Sequence, residues 1–314
     1  MKKIIYISSL IVIIALGYVY LSNQKPTIKP YDESSASPIK EEAENSTDHG
    51  NVDKTHAKLA GTRIDLQNQN GLKPGEVMLA FKLYGADAHE FGPNDLKITH
   101  EKPMHLILIR DDVTSFQHVH PEYKDGRWTV KTTIENQGLY QMYVDIEPKE
   151  ESPVTLRVPL TIGGTTQQSQ FPSVSANMSA VTNGIQATLQ LASPFKTKEH
   201  TNLTFVLAQN GKPVTQIDPY LGAFGHVVVL RHGDADDYIH GHPITESKPT
   251  DGKVVFESEF PVKGTYTIFA QFSINGQVIT FPITVSVDSE GQVTSDHDIT
   301  TNTNTGEHGN GSGK

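Results

Sequence analysis

Short runs of apolar or alternating residues, rich in Val, Ile, Leu, Phe, Tyr and Thr, recur from about residue 60 to residue 288. They are punctuated by Gly, Pro, Asn and Asp. The runs 76–84, 105–110, 155–162, 185–191, 202–207, 254–260 and 277–287 have the length and residue preference of strands, and the punctuation that of turns. No stretch sustains a helical period, so the pattern predicts an all-β fold of sandwich type.

Two flanking segments follow other patterns. Lys2 and Lys3 precede the apolar run from Ile4 to Leu21. As a helix this run would span about 27 Å, close to the hydrocarbon thickness of a bilayer. No small-x-small cleavage site follows it, and Tyr18 and Tyr20 suit a membrane interface, which favours an uncleaved signal anchor (1–22) over a cleaved signal peptide. The bulk of the chain is then expected on the extracytoplasmic side, held to the membrane by this helix. Residues 23–59 are polar, acidic and poor in core-forming side chains, and 289–314 are rich in Thr, Asn, Gly and Asp; both are expected to be disordered, as stalk and tail. His49, His56, His297 and His308 fall in these segments and are read as solvated.

The strand-rich region repeats itself. Pro103-Met104-His105-Leu-Ile-Leu-Ile-Arg110, a short acidic loop and Phe116-Gln117-His118-Val119-His120-Pro121 form one copy. Phe224-Gly225-His226-Val-Val-Val-Leu-Arg231, another acidic loop and Tyr238-Ile239-His240-Gly241-His242-Pro243 form the second. Each copy continues to a Gly-x-Tyr, Gly138-Leu139-Tyr140 and Gly264-Thr265-Tyr266, at the place of a tyrosine corner in immunoglobulin-like sandwiches. The expected domains are 60–165 and 173–288, joined by the Gly/Thr/Gln/Ser stretch 163–170.

The chemistry is expected at the repeated histidines. Side chains alternate along a strand, so His118 and His120 share a face, as do His240 and His242. A four-residue loop, 111–114, pairs Arg110 with Ser115 and sets His105 opposite His120. A five-residue loop, 232–236, pairs Arg231 with Asp237 and sets His226 opposite His242. Each hairpin then presents three imidazoles within reach of one ion. Neutral imidazole suits copper, zinc and nickel. Met104, a thioether beside His105, shifts the expectation toward copper, although alternation points it to the opposite face and a bend would be needed; zinc is the second choice. His100 and Asp145 are further candidate ligands in the first copy, where the second has Leu221 and Gln271, so the first site is expected to be the better furnished. The plainer alternative is that the histidines cap loops or hydrogen-bond main-chain carbonyls. His89, His200 and His232, which lack repeated partners, are read as surface residues, and Trp128 as core.

Composition narrows the field. The chain has no cysteine, which removes disulfides, thiolate metal sites, iron–sulfur clusters, cysteine nucleophiles and lipid attachment through a lipobox. A formal net charge of −10 disfavours nucleic acid as a partner. No Gly-x-Ser-x-Gly, phosphate loop or acid/base pair at diagnostic spacing occurs, so an enzyme is not expected.

Around Thr99-His100-Glu101-Lys102-Pro103-Met104-His105, Phe116–Pro121, Tyr220–His226 and His240-Gly241-His242-Pro243 the sequence resembles bacterial secreted or membrane-anchored proteins with tandem immunoglobulin-like, YtkA-like, domains. The resemblance spans about 75–290. It implies a cell-envelope location and a sandwich fold, with an association with copper handling in some relatives. The expected function is copper binding or delivery at the membrane, with a membrane metalloprotein or an envelope complex as partner. The alternative is a metal-free, non-catalytic structural or interaction module of such a complex.

Overall fold

A computed structural model describes residues 61–164, 170–245 and 247–290. The expected anchor and stalk, the middle of the joining stretch and most of the expected tail lie outside the described residues. Among the described residues no helix is long and apolar enough to cross a membrane.

The first domain contains β1 (Arg63–Leu66), β2 (Gly75–Tyr84), β3 (Met104–Arg110), β4 (Phe116–Val119), β5 (Glu122–Lys124), β6 (Arg127–Ile134), β7 (Gly138–Ile146) and β8 (Val154–Ile162). They form two four-stranded antiparallel sheets, β1-β2-β6-β5 and β4-β3-β7-β8. Alternate residues of β2, Leu79, Phe81 and Leu83, meet Leu106 and Leu108 of β3, Met142 and Val144 of β7 and Trp128 of β6 in one apolar core. Trp128 also donates its indole N–H to the Phe91 carbonyl at 2.9 Å.

The second domain contains β9 (Ser179–Thr182), β10 (Ile185–Gln190), β11 (Lys196–Thr197), β12 (His200–Gln209), β13 (Lys212–Pro213), β14 (Ile217–Asp218), β15 (His226–Arg231), β16 (Asp234–Gly241), β17 (Lys253–Glu259), β18 (Gly264–Ile274), β19 (Gln277–Val287) and β20 (Ser289–Glu290). It repeats the plan. In one sheet β12 lies between β10 and β17, as β2 lies between β1 and β6; in the other β18 lies between β15 and β19, as β7 lies between β3 and β8. Ser289 and Glu290 pair in parallel with Lys196 and Thr197, so the fold runs two residues past the expected start of the tail.

Tyr140 donates its hydroxyl to the Asn136 carbonyl at 2.8 Å and Tyr266 to the Val262 carbonyl at 2.7 Å, the same four-residue reach in each domain. The glycine two residues before each tyrosine has a physical reason. Gly138 (φ 142°) and Gly264 (φ 157°) lie beneath Arg110 and Arg231, whose side chains a Cβ would meet at 2.7 and 2.9 Å. A Cβ at either place would force the arginine to shift, and the positive φ itself favours glycine.

The hairpin strands β3 and β15 are buried along both faces. Leu106 and Leu108 enter the first domain's core, while Ile107 and Ile109 point the other way; Val227 and Val229 enter the second core, while Val228 and Leu230 point away from it. The outward residues of the two domains meet each other. Ile107, Ile109, Val113, Tyr143, Val228, Leu230, Tyr238 and Phe269 form a third apolar cluster. Across it Phe116 stacks on Phe269 (4.4 Å between ring centroids) and Tyr143 on Tyr238 (4.3 Å), and the Tyr143 hydroxyl donates to the Ala235 carbonyl at 2.7 Å. The β4-β3-β7 and β16-β15-β18 faces are therefore packed against one another.

Candidate metal centre

At one end of this interface the apolar residues give way to histidine. In the first hairpin Leu106 pairs with Val119 and Ile107 with His118, the register in which His105 falls opposite His120. In the second, Val227 pairs with Gly241 and Val228 with His240, which likewise carries His226 opposite His242. The turn differs from expectation. β16 begins at Asp234, and a bulge between Leu230 and Arg231 pairs Arg231 with Asp234 instead of Asp237, the Arg231 guanidinium bonding to both carboxylates. The bulge absorbs the register change before the histidines are reached.

His105, His118 and His120 each offer one ring nitrogen, the three lying within 4.8 Å of one another; His226, His240 and His242 do the same. His105 and His226 are buried, with 3% and 0% exposure, and the other four are partly buried. The sequence pattern suggests a separate site in each domain, but the two trios adjoin across the interface. The His118 ring lies 5.1 Å from that of His240 and 5.5 Å from that of His105.

The second nitrogen of four rings is held by a hydrogen-bond acceptor, in matched pairs. His105 Nε2 donates to the Thr99 carbonyl (3.1 Å) and His226 Nε2 to the Tyr220 carbonyl (2.8 Å), each six residues upstream. Both carbonyls sit at tight turns, bridged Thr99 to Lys102 and Tyr220 to Ala223, whose central residues have positive φ: His100 (49°) and Glu101 (65°), Leu221 (54°) and Gly222 (74°). The other two partners are exchanged between domains. His118 Nδ1 donates to Gln271 Oε1 at 2.7 Å, and His240 Nδ1 to Asp145 Oδ2 at 2.9 Å. Asp145 stands beside His105 in its own sheet and Gln271 beside His226 in its own, yet each serves the opposite trio.

Carbonyl and carboxylate oxygens only accept, so the engaged nitrogen of each ring carries a proton, and in the neutral ring the other nitrogen presents a lone pair. His226 Nδ1 and His240 Nε2, the unengaged nitrogens of two of these rings, are buried and have no partner, as are His120 Nε2 and His242 Nε2. His105 Nδ1 faces His118 Nε2 at 3.3 Å. Two lone pairs at that separation repel unless a cation lies between them, and the edge of a tetrahedron with metal–nitrogen bonds of 2.0–2.1 Å is about 3.3 Å. Each trio thus offers one Nδ1 and two Nε2 atoms.

Burial disfavours the charged form at His105, His118, His120, His226 and His242. Burial, reinforced by His240, holds His105 down at about 4 and His226 at about 3, against an ordinary 6.5; burial, followed by the influence of His105, takes His120 to about 3. Burial also lowers His118 and His242. Burial acts to raise the Asp145 carboxyl, but hydrogen bonds from His240, Thr155 and Tyr238 outweigh it and leave the group below its ordinary value.

Three expected ligands take other places. Met104 is fully buried in the first domain's inter-sheet core, because strand alternation sends it away from His105 and no bend intervenes; its thioether does not face the imidazoles. Asp145 is an orienting acceptor, its oxygens taken by His240, by the Tyr238 hydroxyl at 2.6 Å and by the Thr155 hydroxyl at 2.6 Å. His100 stacks on His242, with 3.4 Å between centroids and 14° between planes. Both first-domain extras therefore furnish the second trio, which reverses the expected advantage of the first. Gln271, Tyr238 and the carbonyls of Thr99 and Tyr220 escaped the sequence reading. The six-residue offset from carbonyl to histidine, present in both copies, was the available signal for the last two. Of the unrepeated histidines, His89 meets Asp95 at 3.3 Å, His200 lies 3.6 Å from Glu257, and His232 meets the Thr267 hydroxyl at 2.8 Å.

Fold and site define a protein of two tandem immunoglobulin-like sandwiches carrying two histidine triads that can hold a metal ion. It belongs to the DUF8832 family, a domain of unknown function, which matches twice, over residues 57–162 and 179–289. No curated protein matches the sequence. Similar solved structures include Salmonella alpha-2-macroglobulin (11% identity over 74% of this chain and 15% of that chain, TM-score 0.23). Others are the fibronectin(III)-like modules of Clostridium thermocellum CbhA (10%, 74% and 98%, TM-score 0.19) and invasin, a bacterial integrin-binding protein (9%, 73% and 39%, TM-score 0.21). The chain spans well under two thirds of the macroglobulin and of invasin. Likenesses this distant carry no information on activity.

Proposed function

We propose that this chain is a membrane-anchored, extracytoplasmic metal-binding protein that holds copper through its histidine trios, for storage or for delivery to a membrane metalloprotein. The observation that carries the reading is the set of inward lone pairs. Four rings have their tautomer fixed by an acceptor on the far nitrogen, and four buried ring nitrogens have no partner at all. Buried polar atoms in folded proteins are nearly always satisfied, and an ion is a standard reason for a cluster that is not. Orienting partners on the outer nitrogen are the usual companions of metal-bound imidazole.

Copper over zinc rests on the ligand set: all-imidazole sites accept both, and affinity for divalent ions peaks at copper. The anchor reading of residues 1–22 and the YtkA-like resemblance support an envelope location.

Equilibrium dialysis of the full chain against Cu(II), Cu(I) and Zn(II), with metal counted per chain, tests the reading. Copper uptake that the double substitution His105→Ala/His120→Ala reduces is the expected result. Uptake indifferent to that substitution would exclude the first trio. Absence of uptake for all three ions would leave the metal-free envelope module.

A further inference from the structure

We infer that the two trios are halves of a single dinuclear centre built across the domain interface, in which the two ions lie close enough to share a small bridging ligand. This rests on the proposal that the trios bind metal. It adds that the ions are neighbours and coupled, where two separate domains would hold two independent sites.

At His118 and His240 ring separations do not distinguish the trios. Within them, His118–His120 and His240–His242 are both 5.0 Å and His226–His240 is 6.0 Å; across them, His118–His240 is 5.1 Å, His105–His240 5.5 Å and His118–His226 5.9 Å. His240 and His118 stand at the middle, each as near to the opposite trio as to its own.

A single ion shared by six imidazoles does not fit this arrangement. Octahedral bonds of about 2.1 Å put opposite ligands about 4.2 Å apart. Six nitrogens on such an ion would form one group inside 4.8 Å, whereas the nitrogens fall into two separate groups of three. Two three-coordinate ions fit, each with a position left for a further ligand.

The interface also fixes their relation. Each trio takes one orienting acceptor from the other domain, His118 from Gln271 and His240 from Asp145. The stacked pairs Phe116–Phe269 and Tyr143–Tyr238 hold the faces together beside the rings. Charge identifies the class of shared ligand. Two divalent ions bring four positive charges, and among the described residues the carboxylate hydrogen-bonded to these rings is that of Asp145. Uncompensated charge at a partly desolvated site is costly. A small anion such as hydroxide, held between the ions as in other two-metal centres, offsets it.

Electron paramagnetic resonance of the full chain loaded with Cu(II) decides the matter. The expected result is two coppers per chain with much less than two spins of signal, or with a half-field line, because neighbouring Cu(II) ions couple. Disabling one trio by His226→Ala/His242→Ala is expected to leave one copper with the full signal of an isolated ion, and His226→Gln/His242→Gln serves if the alanine form does not fold. Two coppers with two full uncoupled spins would overturn the dinuclear inference while sparing the metal-binding proposal, and so would one copper abolished by disabling either trio. No copper on the unsubstituted chain would overturn both.

Discussion

Asp145→Leu is the most informative single change. Asp145 Oδ2 accepts from both His240 Nδ1 at 2.9 Å and the Tyr238 hydroxyl at 2.6 Å, and Oδ1 accepts from the Thr155 hydroxyl at 2.6 Å. An Asn could turn its amide oxygen to the Oδ2 position and keep the first two bonds, whereas Leu is of similar size and accepts none. His240 Nδ1 then loses its acceptor, and the ring proton is free to move to Nε2. That nitrogen is buried, unpartnered and one of the three aimed into the second trio. A proton there occupies the lone pair an ion would use. Loss of an outer partner of a metal-bound histidine typically costs 10–100-fold in affinity, or about 1.4–2.7 kcal/mol. The expected result is a fall of that size at one of two sites, read by competition with a chromogenic copper chelator, with the other site unchanged. The reciprocal change Gln271→Glu places a carboxylate on His118 Nδ1 and is expected to tighten the first trio. An Asp145→Leu protein that binds both equivalents within twofold of the original would refute the assignment of tautomers and, with it, the claim that these hydrogen bonds orient ligands.

Further outcomes follow from the same geometry. Met104→Leu is expected to leave copper affinity unchanged and to cost less than about 1.5 kcal/mol of stability, because Met104 fills the core; loss of copper affinity in a dialysis assay would reinstate the thioether as a ligand. Phe269→Ala removes a ring that is 3% exposed and stacked on Phe116. It should cost about 3–5 kcal/mol and split calorimetric unfolding into two transitions, and a single unshifted transition would show the interface to be weak. The metal-free protein should weaken as pH falls. His105 is held near 4 and His226 near 3, against 6.5 in the unfolded chain, so between 6.5 and those values the unfolded state binds protons that the folded state refuses. Stability is then complete above 6.5 and declines below it, by up to about 1.4 kcal/mol per pH unit for each such ring. Urea midpoints that stay level from pH 7 to 4.5 would contradict the burial of these imidazoles.

Much of the site was legible in the chain because strand geometry is local. The two-residue period puts His118 with His120 and His240 with His242, and loop length sets the register that brings in His105 and His226. Alternation likewise marked Met104 as facing away. What the sequence did not disclose is where the two faces meet, since that depends on how one sandwich packs on the other. A clue was present. Leu106-Ile107-Leu108-Ile109 and Val227-Val228-Val229-Leu230 are apolar on both faces, which an antiparallel strand with one wet side does not need. Such runs require a cover on the outer face, and the cover is the other domain. Asp145 was assigned by sequence position to the trio beside it; across a two-sided interface the ring it serves belongs to the other hairpin, and Gln271 does the same in reverse.

That exchange follows from duplication. When two copies of one face pack on each other, a contact from residue i of one to residue j of the other implies the reverse contact as well. The paired bonds, His118 to Gln271 and His240 to Asp145, have this form, so a hairpin face bearing three histidines and one acceptor completes its own site simply by meeting its copy. The departures from symmetry then gain meaning. Asp145 stands where the second copy has Gln271, and His100 where it has Leu221; both of the first copy's additions reach the second trio, one as a charged acceptor on His240 and one stacked on His242. A carboxylate on the outer nitrogen makes an imidazole a stronger donor to metal than an amide does. The second trio should therefore fill first, and the first copy's sequence is what makes it so.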